Sequence, residues 1–357
     1  MPRAREIGIR IGSLPTGPTN SVLDVAGVGL GHATVLRDEP APPLGRGVAR
    51  TGVTVLLIAE DSYRRPCAAG GAVLNGAGEC TGFITAREWG TVETPVYLTS
   101  TLQLGRVYDA ACQLAYEHDE SVADDVVIPV VGECDDSFLN DCRRMQVSEQ
   151  DVRDAYAAAL ASRGATGPPA EGAVGAGTGM SCYEFKGGIG TSSRITVGGF
   201  TVAVLLLTNF GERSRLTVDG VPVGRHLPTT WDTAPAAGSC LGVVVTDAPV
   251  GGADCARLAR RIGLGLARTG SVAHHGSGEI FLAVSTTART DRDGTPEGER
   301  LAGRALDPLF EAVVDAAEEA VLNSLLTATT TVGRDGNTSP GLDPVRVGKL
   351  LEEYGRG

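Results

Sequence analysis

Hydrophobic residues along the chain form several short, dense runs that indicate buried strands. Residues 53–59, 126–131, 200–207 and 240–246 are rich in valine, leucine or isoleucine and are bounded by turn-forming or polar residues. Runs of this length and composition are typical of strands covered on both faces. Residues 279–286 are predicted as a further strand. The pattern therefore predicts a sizeable sheet core.

Apolar residues recur at helical spacing in longer segments between these runs. In residues 102–116 the apolar positions are 104, 107, 111 and 114, which lie on one helical face. Residues 149–163 are alanine-rich, and residues 253–269 and 307–326 are amphipathic. Strands and helices are thus interleaved without an internal repeat, which predicts an α/β or α+β fold.

Two glycine-rich stretches interrupt this order. Residues 68–90 are predicted as loop rather than as a regular element. Residues 164–180 have the composition of a linker, but strand-like sequence follows, so we place no domain boundary there. The chain holds 49 glycines without a collagen-like period, which indicates many tight turns and close backbone approaches.

The composition argues against several classes of partner. The 357 residues are 42% hydrophobic and 21% charged, which is enough to bury a core. The net charge is −12, and the chain has only two lysines, Lys186 and Lys349, which disfavours nucleic acid and anionic membranes as partners. The N-terminus lacks the apolar stretch of a signal peptide, and no apolar run reaches the length of a membrane span.

The cysteines do not form a recognisable metal or disulfide pattern. The eight cysteines include no Cys-x-x-Cys pair, and histidines and carboxylates are not clustered in the sequence. The glycine-rich stretch at residues 175–179 lacks the Gly-Lys-Ser/Thr of a phosphate-binding loop. We therefore expect reduced thiols in a cytoplasmic protein that binds no metal and no cofactor.

A serine preceded by glycine, Gly238-Ser239, lies directly before the apolar run 240–246. An ordinary Gly-Ser pair forms a turn; the alternative is a self-cleaving nucleophile. Ser239 Oγ would attack the Gly238 carbonyl, an N→O acyl shift would give an ester, and water would release a new N-terminal serine. Glycine leaves the carbonyl open and permits strained dihedral angles. The freed amine then acts as general base for its own hydroxyl.

That mechanism needs no histidine. The five histidines do not lie in a Gly-x-Ser-x-Gly elbow, and no such elbow occurs in the chain, which argues against an α/β-hydrolase. A Ser-His-Asp triad is therefore the weaker alternative. His274 and His275 are interpreted as scaffold residues rather than as a base.

The segment around Ser239 resembles the processing site of the DmpA-like family, which comprises the L-aminopeptidase/D-esterases and the β-peptidyl aminopeptidases. Its signature here is Gly-Ser-x-x-x-x-Val-Val-Thr-Asp-Ala-Pro, at residues 238–249. Further blocks at residues 20–32, 73–90, 175–190 and 333–337 resemble other parts of the family pattern, in the same order. The resemblance covers nearly the whole chain.

The resemblance implies a fold and a maturation step by self-cleavage. The family fold is a four-layer α/β/β/α sandwich, and residues 1–357 would form one N-terminal-nucleophile hydrolase domain. Self-cleavage would divide it into an α-chain (1–238) and a β-chain (239–357). The family also implies a homotetramer. Its substrates are small peptides, amino-acid amides or esters with a free amine.

Site residues follow from the resemblance by position. Ser239 would be the nucleophile, and Asn209 falls where the family places its oxyanion-hole amide. Ser277 and Glu279 match the family's second serine and acid; residues two apart on an extended segment share a face, so the pair would tune proton transfer at Ser239. Glu133 matches a glutamate that receives the substrate's ammonium group.

Two departures and two alternatives remain. Asp135 stands where the family often has an aromatic residue and is predicted to alter the substrate pocket, and Ser181 replaces an aliphatic residue. One alternative is an acyltransferase like the ornithine acetyltransferases, which carry a threonine nucleophile where this chain has Ser239. The other is an unprocessed, non-catalytic member that serves as a binding or structural protein.

Overall fold

The structure is a computed structural model, and it describes residues 1–227, 238–292, 294–295 and 298–356. The α-helices are α1 (Phe83–Glu88), α2 (Leu104–His118), α3 (Glu149–Ala161), α4 (Gly252–Arg268), α5 (Asp307–Leu326) and α6 (Pro344–Glu353). The strands of the first half of the chain are β1 (Gly29–Asp38), β2 (Val48–Leu57), β3 (Cys67–Gly76), β4 (Thr91–Val92), β5 (Val96–Ser100) and β6 (Val130–Cys134). Those of the second half are β7 (Ser181–Cys182), β8 (Phe185–Lys186), β9 (Ile189–Ile195), β10 (Thr201–Asn209), β11 (Ser239–Thr246), β12 (Gly278–Arg289), β13 (Thr331–Val332) and β14 (Thr338–Ser339).

Two mixed sheets form the centre of the fold. A four-stranded sheet has the order β1-β2-β5-β6, and a six-stranded sheet has the order β4-β3-β12-β11-β10-β9. In the larger sheet β11 runs parallel to β12 and antiparallel to β10. The first residue of β11 therefore lies between two strands at the middle of a sheet.

Apolar faces hold these sheets and the helices together as four layers. One core cluster lies between the sheets and joins Leu56 and Leu98 of the smaller to Leu205 and Leu241 of the larger. A second cluster packs α2 and α3 on the outer face of the smaller sheet. A third packs α4 and α5 on the outer face of the larger. The predicted α/β/β/α sandwich is confirmed.

The predicted elements agree with most of the structure, but two predictions were wrong. The buried strand predicted at 126–131 is observed as β6 (Val130–Cys134), and Val126 and Ile128 are exposed. The strand begins only after Pro129, which has no N–H to donate to a neighbouring strand. The helices predicted at 102–116, 149–163, 253–269 and 307–326 correspond to α2, α3, α4 and α5. Residues 68–90, by contrast, are not mainly loop, because β3 occupies Cys67–Gly76 and pairs with β12. Its glycines are covered by neighbouring elements: a Cβ on Gly70 would lie 2.5 Å from the Ala256 nitrogen of α4, and one on Gly71 would lie 2.4 Å from the Phe83 ring.

Within the described part of the chain, no helix has both the length and the apolar content needed to cross a bilayer.

Candidate active site

The strand register brings Ser239 next to two of the predicted site segments. Ser239 opens β11, where its register partners are Asn209, the last residue of β10, and Gly278, the first residue of β12. Ser239 is 5% exposed. Because neighbouring strands lie about 5 Å apart, residues distant in sequence converge at this end of the sheet.

The Gly238–Ser239 peptide is held by hydrogen bonds at its carbonyl. Ser239 Oγ donates to the Gly238 oxygen at 2.7 Å, and the Gly278 N–H donates to the same oxygen at 3.2 Å. A Cβ at residue 238 would lie 2.5 Å from the carbonyl oxygen of Asn209, so only glycine allows this approach. The Ser239 hydroxyl thus lies against the carbonyl group of the preceding residue, Gly238.

Asn209 is buried and its amide is fixed at both ends. Its Oδ1 accepts from the backbone N–H of Ser181 at 2.9 Å, and its Nδ2 donates to the carbonyl of Asp135 at 2.8 Å. A side-chain amide nitrogen carries two hydrogens, so the bond to Asp135 uses only one of them. The amide is therefore oriented and retains a donor.

Ser277 and Glu279 contact each other, as their spacing predicts. The Ser277 hydroxyl donates to Glu279 Oε1, while the buried Glu279 Oε2 has no hydrogen-bond partner. Burial raises the pKa of Glu279, and the bond from Ser277 opposes that shift. The register places Glu279 opposite Cys240, and Ser277 immediately precedes β12, so the pair lies beside Ser239 without a hydrogen bond to it.

Glu133 is a buried carboxylate at the end of β6. It is 3% exposed; Oε1 accepts from the Glu79 N–H at 2.8 Å, and Oε2 accepts from the Thr101 hydroxyl. Burial raises the pKa of Glu133, and the carboxylates of Asp135 and Glu79 act in the same direction. The Cβ position at Gly78 lies 3.2 Å from Glu133 Oε1 and 3.8 Å from Gly278 Cα, so Glu133 lies near the start of β12.

Asp135 contributes to the site through its backbone. Its two carboxylate oxygens accept from the N–H and the hydroxyl of Ser137, each at 2.9 Å, which closes a local turn. Its carbonyl holds Asn209. Both oxygens of the Asp135 carboxylate are therefore already hydrogen-bonded within the chain, and any effect of this side chain on a substrate pocket has to come from a carboxylate held in this turn.

Asp135, Asp136 and Cys142 form a group whose possible ligand atoms lie within 4.8 Å of one another. The Oδ1 of Asp136 already accepts from the Ser100 hydroxyl at 2.7 Å and from Asn140 at 3.0 Å, and its Oδ2 has no partner. Burial raises the pKa of Asp136 to about 6. We interpret this group as a hydrogen-bonded network that shapes the turn after β6.

Some contacts at the site escaped the sequence analysis. Asn75 of β3 donates to the carbonyls of His274 and His275, each at 3.1 Å, and to that of Ser277, so it anchors the loop that carries the second serine. The sequence could not indicate the Gly278 N–H as a donor, because every residue except proline has a backbone N–H. Asn75 could have been identified, because it is a polar residue within a glycine-rich stretch. The two histidines bind Asn75 through their carbonyls, which fits a scaffold role.

Comparison with known proteins relates this chain to a set of aminopeptidases. The profile of peptidase family S58 matches residues 20–339. The β-peptidyl aminopeptidase BapA of Sphingosinicella microcystinivorans is 36% identical over 99% of this chain and 93% of its own. Among solved structures, the PH0078 protein of Pyrococcus horikoshii is 40% identical with a TM-score of 0.90, and each chain is covered completely.

A further solved structure is the L-aminopeptidase D-Ala-esterase/amidase of Ochrobactrum anthropi, described as a prototype of the serine aminopeptidases and a variant of the Ntn hydrolase fold. It is 36% identical to this chain, with a TM-score of 0.89, and the match covers 100% of this chain and 99% of the other. The resemblance drawn from sequence blocks is thereby confirmed.

Proposed function

The chain belongs to peptidase family S58, and from this premise we propose that it is a self-cleaving serine aminopeptidase with Ser239 as nucleophile. That it is a hydrolase of the aminopeptidase class follows from the family and from relatives of that activity. The observation that carries the rest is the contact of Ser239 Oγ with the Gly238 carbonyl at 2.7 Å.

Self-cleavage begins with attack of Ser239 Oγ on the Gly238 carbonyl carbon. The carbonyl oxygen becomes an oxyanion, which the Gly278 N–H is placed to stabilise from 3.2 Å. The C–N bond then breaks, the hydroxyl proton passes to the leaving nitrogen, and an ester remains. Water hydrolyses this ester, which gives a carboxylate on Gly238 and a free amine on Ser239.

The same serine then attacks the substrate. The new amine of Ser239 takes the proton from its own hydroxyl, as in other N-terminal nucleophiles. Asn209 Nδ2 donates to the oxyanion, a contribution worth about 3 kcal/mol in comparable sites. The Ser277–Glu279 pair, at the start of the adjacent strand β12, assists proton transfer once cleavage has freed the Ser239 amine to move.

Glu133 provides selectivity for a free amine. Its buried carboxylate lies near the start of β12 and is oriented by Thr101 and Glu79. An ammonium group is a strong partner for such a carboxylate. The substrates are accordingly small peptides, amides or esters of an α- or β-amino acid, and the acyl-enzyme passes its acyl group to water.

A reducing, cytoplasmic location remains a prediction from the cysteine pattern of the sequence. The homotetramer remains a prediction from the family resemblance; gel filtration with light scattering tests it.

Intact mass spectrometry of the purified protein tests the proposal. We expect two chains of about 24 and about 12 kDa, divided between residues 238 and 239. The wild type should also release p-nitroaniline from aminoacyl or β-aminoacyl p-nitroanilides. Ser239→Ala should remain one chain and be inactive. A wild type that stays uncleaved contradicts the proposal, and transfer of the acyl group to an added amine in preference to water favours the acyltransferase alternative.

A further inference from the structure

The hairpin of β7 and β8 lies directly against the proposed oxyanion donor. In this hairpin Ser181 pairs with Lys186. Its turn residues Tyr183 and Glu184 both have positive φ, 52° and 61°. Non-glycine residues adopt this left-handed region at an energetic cost, which the surrounding structure must offset. Tyr183 is fully buried, and its hydroxyl is 2.9 Å from Thr269 Oγ1.

This hairpin holds both the side chain of Asn209 and the backbone that follows it. The Ser181 N–H donates to Asn209 Oδ1 at 2.9 Å. The Tyr183 N–H donates to the Phe210 carbonyl at 2.7 Å, and the two rings meet edge-on with centroids 5.3 Å apart. The position of Asn209 therefore depends on the hairpin.

A buried lysine fixes the hairpin from behind. Lys186 has no exposed surface, and its ammonium donates to the carbonyls of Gly177 at 2.8 Å, Met180 at 2.6 Å and Gly187 at 2.7 Å. An ammonium has three hydrogens, so all are used. Burial lowers the pKa of Lys186 to about 7, and the nearby Cys182 and Asp136 act to raise it.

One peptide group links this ammonium to Asn209. The Met180 carbonyl accepts from Lys186, and the N–H of the same peptide, that of Ser181, donates to Asn209 Oδ1. A peptide is planar, so fixing its oxygen also fixes the direction of its N–H. A cation at the oxygen also polarises the group and strengthens the bond that the N–H makes.

We propose that Lys186 is a positioning residue for the oxyanion donor: its ammonium fixes the Met180–Ser181 peptide, which orients the Asn209 amide toward the oxyanion at Ser239. This inference rests on the proposed function, because it takes Asn209 as the donor. Lys186 touches neither substrate nor Ser239 and acts through the hairpin.

Packing alone does not account for a lysine at this position. A buried ammonium costs several kcal/mol of desolvation that carbonyl dipoles only partly return, and an apolar side chain of similar volume is often as stable. Methionine has a comparable length and no charge. Lys186→Met is therefore the variant that separates filling the volume from fixing the peptide.

The test uses the full chain carrying Lys186→Met, with Lys349→Met as the matched control. Lys349 is the only other lysine and lies exposed on α6. We expect Lys186→Met to lower kcat on an aminoacyl p-nitroanilide about 10- to 100-fold, with KM changed less than about threefold, because the donor is misplaced rather than the substrate site. The rate of self-cleavage, followed by intact mass, should change less than about threefold, because the Gly278 N–H rather than Asn209 faces the oxyanion of that step, and kcat is measured on the cleaved protein. Lys349→Met should match the wild type in both.

Affinity for a transition-state mimic separates positioning from a general loss of structure. An aminoalkyl boronic acid forms a tetrahedral adduct with a serine hydroxyl, whereas the product amino acid binds without one. Lys186→Met should bind the boronic acid more weakly by the same factor as kcat and bind the product normally. Should this variant be insoluble, Lys186→Gln, which keeps amide donors without the charge, is measured in the same way.

Two results overturn the inference. One is a folded Lys186→Met variant whose kcat and boronic acid affinity both stay within about threefold of the wild type. Loss of one oxyanion donor would produce a larger change than this. The other is an equal loss of boronic acid and product binding, which indicates a structural role only. Failure of the proposed function looks different: the wild type itself does not cleave, or Ser239→Ala remains active.

Discussion

Glu279 is a buried carboxylate with one oxygen left without a partner. Since its folded-state pKa lies above the ordinary value because of burial, the folded chain binds this proton more tightly than the unfolded chain does. The ionised form therefore reduces stability, and this loss appears as pH rises through the folded-state pKa.

A double variant of the uncleaved chain tests this sign. We expect Ser239→Ala/Glu279→Gln to exceed Ser239→Ala in unfolding free energy at pH 7 by about 1 kcal/mol, because a charge with an unpartnered oxygen is removed. The difference should shrink as pH falls and Glu279 becomes protonated. Denaturant unfolding between pH 4 and pH 8 measures it, and a difference independent of pH contradicts the prediction.

Glu133 offers a second prediction at the residue scale. Glu133→Gln should raise KM for substrates with a free amine about 10- to 100-fold, the worth of a charge-assisted hydrogen bond, while kcat changes less. Steady-state kinetics provide the measurement. Glu79→Gln is the matched control, since Glu79 binds Glu133 through its backbone N–H and its side chain is not required. An equal effect of both variants would show a general charge effect instead.

The sequence analysis predicted site residues where side-chain type carries the signal. Ser239, Asn209, Ser277 and Glu279 lie on or beside adjacent strand ends, although the chain separates them by up to 70 positions, from 209 to 279. The Gly278 N–H and the Met180–Ser181 peptide could not be predicted, because any residue supplies a backbone donor or acceptor and only the tertiary fold aims it.

At the scale of secondary-structure elements, glycines in the strands allow the helices to lie close to the sheets. A Cβ on Gly31 of β1 would lie 2.2 Å from the Ala155 oxygen of α3, and one on Gly190 of β9 would lie 1.9 Å from the Ala320 oxygen of α5. Such distances require backbone movement. These glycines therefore serve packing rather than turns.

A pair of alanine substitutions separates the two uses of glycine. Gly31→Ala should lower the unfolding free energy by about 1–3 kcal/mol, because α3 must move away from β1. Gly105→Ala should raise it by up to about 1 kcal/mol, since residue 105 lies in helix α2 and a Cβ there meets nothing within 4 Å. Thermal unfolding of the uncleaved Ser239→Ala chain compares them, and equal shifts would refute the packing argument.

The same point explains why β3 was mispredicted. Glycine normally signals a loop, whereas the apolar runs 53–59, 200–207 and 240–246 predicted strands that the structure contains. In β3, however, helix α4 packs so closely against the strand backbone that only glycine fits, as the contacts of Gly70 with α4 show. A local rule fails where the deciding neighbour lies far along the chain.

At the scale of the whole molecule, the strand order interleaves the two proposed chains. In the order β4-β3-β12-β11-β10-β9, the two central strands follow residue 238 and the two pairs that flank them precede it. The β-chain thus contributes the middle of a sheet whose two sides belong to the α-chain. Backbone hydrogen bonds join the two chains on both sides.

The cleaved protein should therefore behave as one unit. We expect both chains to elute together in gel filtration without denaturant and to unfold in a single urea transition, because neither chain alone contains all strands of the six-stranded sheet. Denaturing electrophoresis of the same fractions verifies cleavage. Separate elution of the two chains in native buffer would contradict this interleaving.

The strand order also determines when the six-stranded sheet can be completed during protein synthesis. A ribosome delivers β9 and β10 long before β12, and β12 separates β11 from β3, so the large sheet stays open until roughly four-fifths of the chain has been synthesised. The Gly278 N–H that holds the Gly238 carbonyl arrives with that last strand. If the chain cleaves itself as proposed, cleavage is coupled to completion of this sheet, and we expect a translation product that ends before β12 to keep its peptide bond intact.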